Sequence, residues 1–292
     1  MKKIKNQYCG KIAIIGNQNS GKSSLMNKLI GKKVSITSKK KNTTQENILG
    51  IKTIKNYQFI YIDTPGFKKK KYIHISKDLK FKYDILKDLK LVILVIDNII
   101  WDKNHTVLLN FMNKKNIPNL IVINKIDKIK KKNIILPFIK YLNKKFSQIK
   151  IIPVSSKTGD NIKVLEKIIK KNIPMHKHFF HKNQNNNYSL KFQIYEIIRE
   201  TIMRYFGDEL PYSSKIKIKS IKKNIRQEII IHSEIFVLYC RQKKIFIGKN
   251  GKKIKLCSMI SKKKLEKILN TKVHLFIWIK TFKNNSLHKK YK

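Results

Sequence analysis

Three short segments in a fixed order constrain this chain more than any other feature: Gly16-Asn-Gln-Asn-Ser-Gly-Lys-Ser23, Asp63-Thr-Pro-Gly66 and Asn124-Lys-Ile-Asp127. The first has the spacing of a loop whose main-chain N–H groups surround phosphate oxygens at a helix N-terminus. Asn17, Gln18, Asn19, Ser20 and Gly21 build the loop, Lys22 reaches the outer phosphates, Ser23 ligates Mg²⁺, and Ser24 follows in the first helical turn. That loop specifies a nucleoside triphosphate without choosing the base. The third segment chooses it, because the Asp127 carboxylate can accept from both the ring N–H and the exocyclic amine of guanine, donors that adenine lacks. Asn124 and Lys125 complete that segment, and Ser155, Ser156 and Lys157, after the last apolar run, are placed to meet the guanine carbonyl.

Hydrolysis of GTP needs positioning and charge stabilisation more than covalent chemistry. Lys22, Gly66 and a switch threonine are therefore the expected catalytic set, Gly66 offering its N–H where the γ-phosphate sits. The threonine lies in Lys41-Asn-Thr-Thr-Gln45, with Thr44 preferred over Thr43. Ser23, Thr44 and Asp63 are the expected Mg²⁺ set, and Thr64 and Pro65 lie between Asp63 and Gly66. Phe67 stands where many signalling GTPases place a water-orienting Gln. Asn19 suggests a substitute, a bound monovalent cation such as K⁺, against the plainer reading of a loop-stabilising residue.

The alternation of apolar β-branched runs with helical patterns predicts a mostly parallel sheet wrapped by helices over residues 1–175. Strands are expected over Lys11 to Ile15, Gln58 to Ile62, Leu91 to Ile96, Leu120 to Ile123 and Ile149 to Ile152, and helices over Lys22 to Ile30 and Ile162 to Ile173. The signature residues fall in the loops after the strands, where an open α/β sheet binds ligand. Residues 176–188, with His176, His178, His181 and three successive Asn, read as a solvated linker. A smaller α+β unit is expected over 189–282, with a helix from Ser189 to Tyr205, strands over Lys215 to Ile221, Glu228 to Tyr239 and Val273 to Lys280, and a helix from Lys252 to Leu269. A basic tail occupies 283–292.

Gly248-Lys-Asn-Gly251 sits between strand-rich sequence and a helix, the setting in which a KH module clamps a nucleic-acid backbone. Gly248, Lys249, Asn250, Gly251 and Lys252 form the expected RNA contact, joined by Arg199 and Arg204. The arginines stand out because only four of the 67 basic residues are Arg, all in the C-terminal part. The net charge of +50 is otherwise weak support for a binding face, since a chain so rich in Lys, Ile and Asn suggests A/T-biased coding.

These signatures, with Lys41-Asn-Thr-Thr-Gln45, Glu196-Ile-Ile-Arg-Glu200, Met203-Arg-Tyr-Phe-Gly207, Glu209-Leu-Pro-Tyr-Ser213 and Ile247-Gly-Lys-Asn-Gly-Lys-Lys-Ile-Lys255, closely resemble the Era-type GTPases over nearly the whole chain. The resemblance implies a P-loop GTPase domain followed by a type II KH domain. It also implies a role in maturing the small (30S) ribosomal subunit by binding near the 3′ end of its 16S ribosomal RNA. The chain departs from the family pattern at Ser20, where Val is favoured, at Gln45, where Arg is usual, and at Ser156, where Ala is usual.

Three cysteines with neither disulfide nor metal spacing suggest a reducing compartment. No run approaches the roughly 20 apolar residues of a membrane span. A cytoplasmic monomer is the expectation, with peripheral contact at the inner face of the cell membrane kept open. The rival reading is a GTP-dependent signalling or membrane-surface switch without an rRNA role. The C-terminal Lys-Lys-Tyr-Lys offers it no prenylation cysteine.

Overall fold

The computed structural model describes residues 6–32, 34–35, 48–67, 88–97, 99–181, 189–206 and 210–282, Tyr212 without its side chain. The chain divides into two compact units, Met1–Asn187 and Tyr188–Lys292.

The first unit is built on six strands: β1 (Tyr8–Gly16), β2 (Ile48–Ile54), β3 (Tyr57–Asp63), β4 (Leu89–Asp97), β5 (Asn119–Asn124) and β6 (Lys150–Pro153). They lie in the order β2-β3-β1-β4-β5-β6, all parallel except the β2/β3 pair. Strands covered on both faces must be apolar at consecutive positions, and Ile12, Ile14, Ile93 and Leu94 of β1 and β4 are fully buried. Among the described residues, the α-helices of this unit are α1 (Lys22–Ile30), α2 (Lys103–Lys114), α3 (Ile135–Lys145) and α4 (Ile162–Lys171). Helix α1 buries Leu25, Met26 and Leu29 on one stripe. Because the parallel strands share one direction, Gly16, Asp63, Asp97, Asn124 and Pro153 all end strands on the same edge of the sheet.

Three features depart from expectation. Strand β2 is an antiparallel edge that the sequence pattern did not reveal. Residues 175–180, expected in a solvated linker, are instead fastened to the first unit. Met175 bridges Tyr8, the His176 N–H donates to the Gln7 carbonyl at 2.9 Å, and the buried Gln58 side chain accepts from the N–H groups of Phe179 (2.9 Å) and Phe180 (3.0 Å). The strand expected to run to Tyr239 stops at Val237. There the N–H groups of Leu238 and Tyr239 turn to the Gln242 side-chain oxygen at 3.0 and 3.3 Å, which starts a helix.

The second unit contains α5 (Leu190–Tyr205, capped by the Ser189 hydroxyl), a helical turn at Leu210–Ser213, β7 (Lys215–Lys223), β8 (Ile229–Val237), α6 (Cys240–Ile247), α7 (Lys252–Leu269) and β9 (Val273–Thr281). The sheet order is β7-β8-β9, with β7 antiparallel and β9 parallel to β8. Ile198, Ile231, Ile235, Phe246, Leu265 and Val273 form its fully buried core, between the helices and one face of the sheet.

Candidate nucleotide site and nucleic-acid interface

The loop between β1 and α1 is held by its neighbours along the carboxyl edge. The Asn124 side-chain amide donates to the Ser20 carbonyl at 2.9 Å, and its oxygen accepts from the Ser156 N–H (3.1 Å) and hydroxyl (2.7 Å). Gly21, at φ 90°, is required there twice over, since a Cβ would lie 2.3 Å from Asn124 Nδ2. Lys125 ties the same loop from above, donating to the Asn19 carbonyl and, at 2.8 Å, to Asp97. Asp127 is exposed, and one of its oxygens accepts from the buried Ser155 hydroxyl at 2.6 Å, which aims the carboxylate. Lys157 is exposed.

Helix α1 has no side-chain cap on its first turn, so the main-chain N–H groups there are oriented for phosphate oxygens. Lys22 is buried and donates to the Asn17 carbonyl at 2.7 Å. Gly66 packs so tightly on the loop that a Cβ would come within 2.7 Å of Gln18 and 2.8 Å of Lys22 Nζ. Asp63 is fully buried and accepts from the Ser23 hydroxyl at 2.5 Å and the Ser35 hydroxyl at 2.8 Å. Ser23 and Asp63 are hard oxygen donors side by side, a set that fits Mg²⁺. Lys41-Asn-Thr-Thr-Gln45, with Thr43 and Thr44, lies outside the described residues.

Thr64, expected among the nucleotide contacts, spends its hydroxyl on the Ile14 carbonyl at 3.0 Å and is buried against β1. Pro65 is partly buried between it and Gly66. Phe67 is buried, with its N–H on the Gly16 carbonyl (3.2 Å) and its carbonyl accepting from the Gln18 N–H (3.0 Å). Sequence reasoning missed Asp97, Ser35 and the contact of the Asn17 amide with Asp102 at 2.7 Å. Asp97 could have been found, since it ends β4 on the ligand edge. Ser35 and Asp102 depend on loops that only the folded chain brings in.

In the second unit the Gly248–Gly251 turn opens α7. Gly251 holds φ 72°, and a Cβ added there would meet nothing within 4 Å, so its backbone angle rather than crowding requires glycine. The Gly251 N–H closes the turn on the Gly248 carbonyl at 3.1 Å. Lys249, Asn250, Lys252, Lys253 and Lys255 lie around it, all exposed. Lysines in the first turn of a helix oppose its dipole, a cost that a bound phosphate would offset. Both arginines expected here have carboxylate partners on α5. Arg199 is buried and paired with Glu196, its Nε at 2.7 Å, and Arg204 pairs with the buried Glu200 at 2.7 Å. A forked guanidinium satisfies these buried carboxylates better than an ammonium, which is a reason for Arg at both places, and the Arg204 side chain stays 43% exposed.

A phosphate-binding β1–α1 loop completed by a guanine-selecting loop, in a chain that also carries a Gly-Lys-Asn-Gly turn at a helix start, defines a P-loop GTPase joined to a KH module. Comparison with known proteins agrees. Residues 11–125 match the family described as 50S ribosome-binding GTPase, and residues 209–287 match the KH domain. The chain is 47% identical to GTPase Era of Buchnera aphidicola subsp. Schizaphis graminum (strain Sg), covering 96% of this chain and 98% of that one. It is 40% identical to GTPase Era of Haemophilus influenzae (strain PittGG), covering 94% and 91%. Among solved structures it is similar to a point variant of Aquifex aeolicus Era bound to GDP.AlF4-, with a TM-score of 0.87, 34% identity and 95% of each chain covered. It is also similar to Era in complex with MgGDPNP and nucleotides 1506-1542 of 16S ribosomal RNA, with a TM-score of 0.86, 33% identity and 95% of each chain covered. The chain belongs to the Era family of GTPases.

Proposed function

We propose that this chain binds GTP with Mg²⁺, hydrolyses it, and serves small-subunit assembly in the cytoplasm by binding 16S ribosomal RNA near its 3′ end through the Gly248–Gly251 turn. The observation that carries this reading is the pairing, in one chain, of a loop tight enough for Gly66 to report the γ-phosphate with a turn edged by exposed lysines. The similarity to Era in complex with MgGDPNP and 16S nucleotides supports it.

In this reading Asp127 selects guanine, with the loop of Ser155, Ser156 and Lys157 at its carbonyl, and the N–H groups at the start of α1 hold the phosphates with Lys22. Ser23 and Asp63, with Thr44, hold Mg²⁺, which when bound neutralises charge on the outer phosphates. Gly66 N–H meets the γ-phosphate. Asn19 would offer an oxygen to a bound potassium ion in place of a glutamine or arginine group, since Phe67 leaves no glutamine after Gly66. Among the described residues no helix is long and apolar enough to cross a membrane.

The test is binding of an oligonucleotide from the 3′ end of 16S ribosomal RNA by Gly251→Asp and by wild type at one salt concentration. A carboxylate at Gly251 has open space and faces the phosphates, and Asp is among the residues that tolerate a left-handed angle at a cost of about 1–2 kcal/mol, so the variant should fold with a strained turn, keep its nucleotide affinity and lose RNA binding. Lys249→Ala should weaken all RNAs alike and flatten the salt dependence by about one counterion. RNA binding by Gly251→Asp as tight as wild type would overturn the reading.

A further inference from the structure

The sheet of the second unit buries one face and leaves the other outside, and that outer face is not a bland lysine surface. Cross-strand register places Ser220, His232 and Phe276 in one row and Lys217, Glu234 and Trp278 in the next. His232 stacks on Phe276 and on Trp278, each at 5.2 Å between centroids, with planes 15° and 5° apart. Phe276 and Trp278 remain 47% and 44% exposed. A shallow depression of about 480 Å³ runs past His232 and Trp278 between Lys219 on β7 and Lys280 on β9. The one acidic side chain lining it, Glu234, is held by Lys280 at 2.7 Å. The helices and the core cover the opposite face, so this surface is separate from the Gly248–Gly251 turn.

We infer that this outer face is a second nucleic-acid contact: a platform on which unpaired RNA bases stack against the Trp278–His232–Phe276 ladder while the β7 and β9 lysines meet the phosphates. The chemistry selects that occupant. Aromatic rings exposed on a sheet face that also carries lysines match the design of single-strand binding sheets, where every base offers a π-face and the backbone tracks positive charge. A protein partner fits less well, because protein interfaces are depleted in lysine. Duplex RNA fits less well too, because its bases are already stacked. The inference rests on the RNA-binding reading above and extends it from a four-residue turn to two faces of the same unit.

The test uses the full chain carrying Trp101→Phe, which leaves Trp278 as the one tryptophan of the two in the sequence. Titration with a single-stranded oligoadenylate of about ten nucleotides should quench its emission. Trp278→Ala and Phe276→Ala should each weaken binding about tenfold, with duplex RNA of the same length unaffected. Gly251→Asp run in parallel reports on the turn alone, so its failure to weaken binding counts against the KH-turn reading and not against the sheet. Unquenched Trp278 emission together with unchanged affinity in both alanine variants would overturn the platform. So would retained RNA affinity in Trp278→Ala alongside lost binding to phosphatidylglycerol vesicles, which would assign the face to a lipid surface instead.

Discussion

The Asn124 side-chain amide donates to the main-chain carbonyl of Ser20 at 2.9 Å, so the base-selecting loop and the phosphate loop are one structure before any ligand arrives. Asn124 lies at the end of β5 and makes two further bonds to Ser156. It therefore organises both halves of the site, while Asp127 acts on the base alone.

The two residues should fail differently. Asn124→Ala leaves the Ser20 carbonyl and the Ser156 donors without their partner, a loss of about 2–3 kcal/mol, and should weaken GTP and GDP together with no change of base preference. Asp127→Asn presents a donor to guanine's own donors and should shift preference toward xanthosine triphosphate by about 100-fold or more. Competition binding with GTP, ATP and xanthosine triphosphate separates the outcomes. Undiminished GTP binding by Asp127→Asn would remove it from base recognition.

Hydrolysis should depend on potassium. Phe67 is buried and its main chain is bonded to Gly16 and Gln18, so this position cannot orient water as a glutamine would. Turnover in potassium should exceed that in sodium by at least about tenfold at matched ionic strength, the scale of one transition-state charge group. Equal rates would leave Asn19 a purely structural loop residue.

Gln58 should be a stability residue with no catalytic effect. Its side chain accepts from Phe179 and Phe180 N–H, donates to the Phe180 carbonyl at 2.8 Å and is fully buried. Gln58→Leu should raise amide exchange at residues 179 and 180 by about tenfold, the scale of one to two lost hydrogen bonds, while nucleotide affinity stays unchanged. Exchange protected as in wild type would show that the segment holds without it.

Thiol reactivity should sort by burial. Burial pushes the Cys257 thiol up to about 12 and raises Cys9 as well, whereas Cys240 is exposed at the start of α6. A chromogenic disulfide reagent at pH 8 should therefore label Cys240 alone in the native chain and all three cysteines once it is unfolded in guanidinium. Rapid labelling of Cys257 in the native state would contradict the packing of α7.

The second unit should lose part of its stability in acid through Glu228. Hydrogen bonds from His274 and Asn224, helped by Lys272, lower its carboxyl from the ordinary value of 4.5 to about 2. A lowered folded value means stability that is fully present above pH 4.5 and lost as pH falls toward 2. Glu228→Gln should be less stable than wild type at neutral pH, and the gap should close across that window in urea melts. A gap that persists unchanged at pH 2 would sink the assignment.

The nucleotide loops, the parallel sheet and the Gly248–Gly251 turn were legible in the sequence because each depends on short-range rules. Gly21, Lys22 and Ser23 must be adjacent to bind one phosphate chain, buried parallel strands must be apolar in runs, and Gly251 must be glycine for its backbone angle. Long-range partners were not legible. Arg199 and Arg204 have partners only three and four positions back, Glu196 and Glu200, but that those carboxylates are buried depends on which way α5 faces, which no local rule gives. Residues 175–180 read as polar linker because their hydrogen-bond partners, Gln7 and Gln58, lie more than a hundred positions earlier. The Trp278–His232–Phe276 ladder likewise exists only in the register of β8 against β9, since a period of two puts each ring on the outer face but only strand pairing puts them side by side.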